Sequence, residues 1–224
     1  MEKQHVVRKV LEIGIVPVVR AASAAQAQAA AEAVRRGGIP IVEITMTVPG
    51  AVEVIRELVR SAGNDVLVGA GTVLDAETAR RCLDAGAQFL VSPGFNAGMV
   101  AEARARDTVV MAGALTPSEI MAAIKAGADF VKIFPCAQVG GAAYIKALRG
   151  PFPSVPFVPT GGVTLATAAE FLRAGAAALG VGGELVERSA LEQGKTLVIM
   201  ENAQRFVEIV QQTRQQMAQA AGKS

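Results

Sequence analysis

Tryptophan is absent from this 224-residue chain, tyrosine occurs once, and the one histidine is His5, near the N-terminus. A single histidine leaves no basis for a His-built zinc site or a Ser-His-Asp triad. The two cysteines, Cys82 and Cys136, make neither a disulfide framework nor a metal-ligand cluster. An excess of one charge is also missing, since 22 Lys+Arg stand against 20 Asp+Glu, a formal net charge of +2. No basic tract breaks that balance, which argues against a nucleic-acid partner held by bulk electrostatics. The most apolar stretch, around Ala174–Gly183, is too short and glycine-rich to span a bilayer, which takes about 20 residues. The opening Met-Glu-Lys-Gln-His lacks the basic-then-apolar order of a signal peptide. A cytoplasmic protein without a membrane partner is expected. Its chemistry is left to Lys, Arg, Glu, Asp, Ser, Thr and backbone amides.

What is present is a globular composition, 51% hydrophobic and 19% charged. Size scaling gives about 9,700 Å² of folded surface, with about 70% of the chain's surface buried. The length suits one α/β barrel, so a single domain over residues 1–224 is expected. Short β-branched runs alternate with Ala/Glu/Arg-rich stretches of helical spacing. Strands are expected at Ile15–Val19, Ile39–Ile44, Val66–Val68, Phe89–Val91, Val109–Met111, Phe130–Phe134, Val155–Val158 and Leu179–Val181. Helices are expected at Ala24–Arg36, Ala51–Ala62, Asp75–Ala85, Ala97–Arg106, Pro117–Ala126, Ala142–Arg149 and Leu165–Ala174, with a leading helix Lys3–Ile13 and a C-terminal one Leu197–Ala218. Gly37, Gly63, Gly86, Gly127, Gly150 and Gly175 fit left-handed helix stops. Ser23, Asp75, Asn96, Thr116 and Thr164 fit N-terminal caps, and Thr116-Pro117-Ser118-Glu119 reads as a capping box. The strands are almost continuously apolar, as parallel strands covered on both faces are. An α/β fold, a (β/α)8 TIM barrel with an N-terminal helix, is the simplest reading. A doubly wound open sheet is the competitor, but no Gly-x-Gly-x-x-Gly follows the first strand.

Barrel chemistry sits at the C-terminal ends of strands. Lys132 lies there in an otherwise apolar run, Asp129-Phe130-Val131-Lys132-Ile133-Phe134-Pro135. A buried ammonium needs a partner or gives up its proton, and a desolvated amine is the nucleophile for Schiff-base chemistry. Alternatively, Lys132 forms a structural ion pair or reaches outward. Glu43, in Ile41-Val42-Glu43-Ile44, is a second charge in an apolar strand and by period two can point inward. It is either a general acid and base or only the partner of Lys132. Gly161-Gly162 and Gly182-Gly183 end the seventh and eighth strands, where barrels commonly hold phosphate on bare backbone amides, although such pairs also make plain turns. Arg20, ending the first strand, either binds an acidic substrate or is solvated. Cys136 and Cys82 read as packing residues.

Taken together, Glu43-Ile44-Thr45, Gly69-Ala70-Gly71-Thr72-Val73, Ser92-Pro93, Val131-Lys132-Ile133-Phe134-Pro135 and Pro159-Thr160-Gly161-Gly162-Val163 resemble the 2-keto-3-deoxy-6-phosphogluconate (KDPG) and 4-hydroxy-2-oxoglutarate (KHG) aldolases. The resemblance runs from about Ile15 to Val186. It implies a class I aldolase of carbohydrate metabolism that works through a covalent lysine imine with no metal or other cofactor, usually as a homotrimer. The implied substrate is a small 2-keto acid, phosphorylated, split to pyruvate and glyceraldehyde 3-phosphate, with 4-hydroxy-2-oxoglutarate as a second substrate. Carried over by position, Lys132 is the Schiff-base lysine and Glu43 the acid and base acting through water. Thr72 and Pro93 line the pyruvate end, Phe134 packs beside the lysine, and Thr160, Gly161, Gly162, Gly182 and Gly183 meet the tail and phosphate. Two positions depart from the pattern. Thr47 stands where several members carry an arginine; it counts with Arg20 among the expected substrate contacts, and Arg20 stands where other members carry their cation. Gly183 stands where serine is common, which removes one hydroxyl contact worth about 1 kcal/mol. The competing readings are a galactonate-series aldolase, a phosphate-binding isomerase or synthase, and a non-catalytic barrel that binds phosphate or a 2-keto acid.

Overall fold

The computed structural model describes residues 2–63 and 66–222. Of the single domain expected over residues 1–224, Met1, Asn64, Asp65, Lys223 and Ser224 lie outside the described residues. Helix α1 (Lys3–Ile13) leads into β1 (Ile15–Val19), α2 (Ala24–Arg36), β2 (Ile41–Thr45) and α3 (Ala51–Ala62). The alternation continues with β3 (Leu67–Gly71), α4 (Ala76–Asp84), β4 (Phe89–Val91), α5 (Ala97–Ala105), β5 (Val109–Ala114) and α6 (Pro117–Ala126). It ends with β6 (Phe130–Ile133), α7 (Gly141–Leu148), β7 (Phe157–Pro159), α8 (Ala168–Arg173), β8 (Leu179–Val181), α9 (Arg188–Glu192) and α10 (Thr196–Ala221). The strands are parallel and ordered β7-β6-β5-β4-β3-β2-β1-β8, and a bridge between Thr160 and Gly180 joins the two remaining edges. The sheet therefore closes on itself as a barrel, not as the open sheet that was its competitor. Every strand residue is buried, which is why the strands read as unbroken apolar runs. The folded chain exposes 9970 Å², close to the area expected from its size.

Local chemistry sets most element ends. Ser23, Asp75, Asn96 and Thr116 each accept a backbone N–H of the first helical turn, and Thr116 with Glu119 completes the capping box. Thr164 accepts from Thr167 N and exchanges a hydroxyl bond with it, so the chain makes a separate turn and α8 starts only at Ala168, not at Leu165. Strand β7 starts two residues later than Val155, because Val155 N still closes a turn on Phe152 O. Helix α9 and a short 3-10 turn (Ala137–Val139) add to the expected elements, and the polar Gln211–Gln219 stretch belongs to α10.

Two glycines expected as left-handed stops, Gly37 and Gly150, are not left-handed. At Gly37 the reason for glycine is packing: a Cβ there would lie 2.4 Å from Ala203 Cβ and 2.6 Å from Met200 O, both on α10. Helices α2 and α10 thus meet backbone to backbone. At the barrel's N-terminal end α1 buries Val6 and Val10, and Lys3 pairs with Asp129 at 2.9 Å, while Asp129 also accepts from Val110 N. Arg214 of α10 donates to the carbonyls of Leu11, Glu12 and Ala177, which ties α10 to the same end. That end is sealed, and the opposite, C-terminal rim is free to carry chemistry.

Candidate active site

Glu43 on β2 and Lys132 on β6 come from opposite sides of the barrel and meet inside it, Oε1 to Nζ 3.8 Å, with the two side chains 2% and 6% exposed. At that separation the pair attract as charges without a hydrogen bond between them. Glu43 Oε1 has no hydrogen-bond partner among the described residues. Burial pushes the Glu43 carboxyl above the usual carboxylate range, against the pull of Lys132 and Arg20. Nζ also stands 5.5 Å from the centre of the Phe134 ring, within cation–π range. An inward amine beside a carboxylate with a raised proton affinity can form an imine and move protons beside it.

Arg20, Phe134, Thr160, Gly161, Gly162, Gly182 and Gly183 line one small cavity of about 110 Å³ at the C-terminal rim of β1, β6, β7 and β8. The seven residues read from four separate strand ends thus share one enclosure. Gly161 and Gly162 have φ of 86° and 82°, left-handed backbone that favours glycine. The Thr160 hydroxyl donates to Val158 O at 3.3 Å, and it fits only because Gly180 opposite has no side chain, since a Cβ there would lie 2.1 Å from Oγ1. Gly180 carries no chemistry of its own, and the sequence offers no local signal for it. The close approach exists only across the closing seam between β7 and β8.

Thr47 lies apart from this cavity, in an adjoining hollow of about 310 Å³ that it shares with Arg20, Gln26 and Arg188. Thr45, which sequence reasoning placed in the Glu43-Ile44-Thr45 motif without a role, anchors it: the Thr45 hydroxyl donates to Val19 O at 2.9 Å and sits 2.7 Å from Thr47 Oγ1. Because Thr45 has given its one proton to a carbonyl, Thr47 is the donor in that contact. Thr72 and Pro93 stand at the ends of β3 and β4 and line neither hollow. Thr72 has φ of 57°, an uncommon conformation for a β-branched residue and one that holds its side chain under strain. The backbone of Pro93 and Gly94 runs against Gly113, where a Cβ would come within 2.3 Å of Pro93 C, so the β5 end makes room for the chain after β4. Cys136 and Cys82 are buried, and burial raises their thiols to about 12 and about 11, as suits packing residues. Among the described residues, no three His, Cys, Asp or Glu side chains cluster to hold a metal, and no helix is long and apolar enough to cross a membrane.

The family model for KDPG and KHG aldolase matches residues 6–201. The 2-dehydro-3-deoxy-phosphogluconate aldolase of Treponema pallidum (strain Nichols) is 40% identical over 160 residues, 71% of this chain and 76% of that protein. The KHG/KDPG aldolase of Escherichia coli (strain K12) is 35% identical over 181 residues, 80% of this chain and 84% of its own. Among solved structures, KDPG aldolase from Legionella pneumophila with pyruvate captured at low pH as a covalent carbinolamine intermediate superposes with a TM-score of 0.82. It is 29% identical and covers 88% of this chain and 96% of that one.

Proposed function

The chain belongs to the KDPG and KHG aldolase family, and we propose that it is a class I aldolase cleaving 2-keto-3-deoxy-6-phosphogluconate to pyruvate and glyceraldehyde 3-phosphate. The observation that carries the site assignment is the meeting of Lys132 and Glu43 inside the barrel at 3.8 Å. 4-Hydroxy-2-oxoglutarate, split to pyruvate and glyoxylate, is the second substrate. The carbinolamine in the Legionella relative supports an imine route.

In this reading the amine of Lys132 adds to the C2 ketone, and the carbinolamine takes up a proton from water on its hydroxyl, which leaves as water to give an iminium. Glu43, through a water, takes the proton of the C4 hydroxyl as the C3–C4 bond breaks. The bond's electron pair flows into the iminium, leaving an enamine on Lys132 and a free aldehyde. The proton held by Glu43 is then given to C3, and hydrolysis of the iminium releases pyruvate, restores the amine and returns a proton to water. One carboxylate so serves as base and then as acid, a use for which a raised proton affinity suits it. Thr72, Pro93 and Phe134 bound the pyruvate end. The tail phosphate rests on the left-handed glycines Gly161 and Gly162 with Gly182, Gly183, Thr160 and Arg20, where bare amides and a guanidinium favour an anion. Thr47 meets the substrate from the adjoining hollow.

The protein works as one barrel domain over residues 1–224, in the cytoplasm and as a homotrimer. Light scattering would give a mass near three chains of 23.1 kDa. The test of function is incubation with pyruvate and borohydride followed by intact and peptide mass spectrometry. A reduced pyruvyl adduct on Lys132 is expected, and its absence removes the Schiff-base assignment. A chelator should leave turnover unchanged, whereas lasting inhibition would assign the activity to a metal-dependent route.

A further inference from the structure

We infer that Gly71, at the end of β3, is a positioning residue for the Glu43 carboxylate, an inference that rests on the aldolase reading above. A Cβ built on Gly71 would lie 1.9 Å from Glu43 Oε1, 2.5 Å from its Cδ and 2.6 Å from its Cγ. All three are far inside contact distance, and all three belong to one side chain. The backbone of Gly71 is ordinary strand, so no conformational demand calls for glycine here. The demand is for space. Glu43 pairs in register with Gly69, two residues earlier on β3, and its side chain reaches forward along the barrel to lie over Gly71. The oxygen that fills the space, Oε1, is the one that stands 3.8 Å from Lys132 Nζ and has no hydrogen-bond partner among the described residues. An oxygen without a hydrogen bond is not held in place by polar contacts. Its position is set by the ion-pair attraction on one side and by the bare α-carbon of Gly71 on the other.

Any side chain at 71 pushes the carboxylate off this surface. The three atoms nearest the added Cβ are all Glu43's, so the change falls first on the carboxylate and not on the amine of Lys132. Imine formation with pyruvate and proton transfer beside the imine should therefore separate in a Gly71→Ala variant. Borohydride trapping of pyruvate on Lys132 should stay within about threefold of the parent, while kcat for cleavage and the exchange of pyruvate methyl protons in deuterium oxide fall about 100-fold, the lower range for loss of a positioned acid-base group. In a Glu43→Gln background, where that group is already disabled, adding Gly71→Ala should cost less than about threefold more.

The inference is overturned if Gly71→Ala turns over normally. It is also overturned if the loss is equally large in the Glu43→Gln background, since Gly71 would then act independently of Glu43. Should Gly71→Ala fold poorly, thermal melts decide: a Glu43→Ala partner change should restore the melting temperature, and a melting loss that persists in the double variant overturns the inference. Parent protein that neither traps pyruvate nor exchanges its protons would instead overturn the aldolase reading itself.

Discussion

Lys132 Nζ and Glu43 Oε1 face each other at 3.8 Å from strands on opposite sides of the barrel, both nearly inaccessible to water, and too far apart to share a hydrogen bond. The gap matters as much as the proximity. A hydrogen bond would fix the carboxylate oxygen on the amine, whereas at this spacing Glu43 Oε1 has no hydrogen-bond partner among the described residues, and burial raises the carboxyl's proton affinity.

Glu43→Gln should keep the fold and lower kcat by about 10²–10⁴, the range for a lost general acid-base group. Its stability should also depend on pH. A carboxyl whose proton affinity is raised in the folded state lends stability below its unfolded value of 4.5 and loses it as pH climbs through the raised folded value. Glutamine does not titrate, so the melting temperature of the variant minus that of the parent should rise from about pH 4 to pH 8. A flat difference would falsify the raised proton affinity.

Arg20→Met tests the long-range charge. Arg20 draws the Glu43 carboxyl downward, so its removal should move the acid limb of kcat/KM to higher pH. Arg20 is exposed, so the shift should shrink at high salt. KM for a phosphorylated substrate should rise in the same variant. An unmoved limb with normal KM would leave Arg20 a solvated residue.

Thr72→Asn separates stability from binding. Asparagine accepts left-handed backbone more readily than threonine, so relief of the strain at φ 57° should stabilise the protein by about 0.5–1 kcal/mol. If the Thr72 hydroxyl contacts the pyruvate end, the same change raises KM. A variant more stable with unaltered KM would assign Thr72 to the turn alone.

Gly37→Ala concerns the fold and not the site. The added methyl collides with Ala203 and with the Met200 carbonyl, so α10 must move away from α2. Overpacking of this kind costs about 1–3 kcal/mol. The melting temperature should drop while kcat at low temperature is retained; an unchanged melt would mean that α10 yields freely.

The two charges in apolar strands were legible in the chain because a lysine or glutamate breaks an otherwise unbroken β-branched run. The Gly161-Gly162 pair was legible because its turn needs left-handed backbone. Gly71 and Gly180 were not, although each decides where a site side chain sits. Glycine in a strand is locally unremarkable, and the reason for it lies on another strand: Glu43 for Gly71, Thr160 for Gly180. Helix ends divide the same way. The Thr116–Glu119 box is local and readable, whereas Gly37 looked like a left-handed stop and is a contact with a helix more than 150 residues later.

The sequence alone determined the alternation of strands and helices, the covering of the sheet on both faces, and the types of residue left to do chemistry, because periodicity, capping and burial cost act within a few residues of chain. Only the tertiary structure decided that β2 and β6 bring a carboxylate and an amine to 3.8 Å, that four strand ends enclose one cavity, and which glycines make room for their neighbours. Those are matters of distance between segments remote in sequence. They are set when a closed barrel packs its interior to solid density, where the absence of one methyl group is as definite a feature as the presence of a charge.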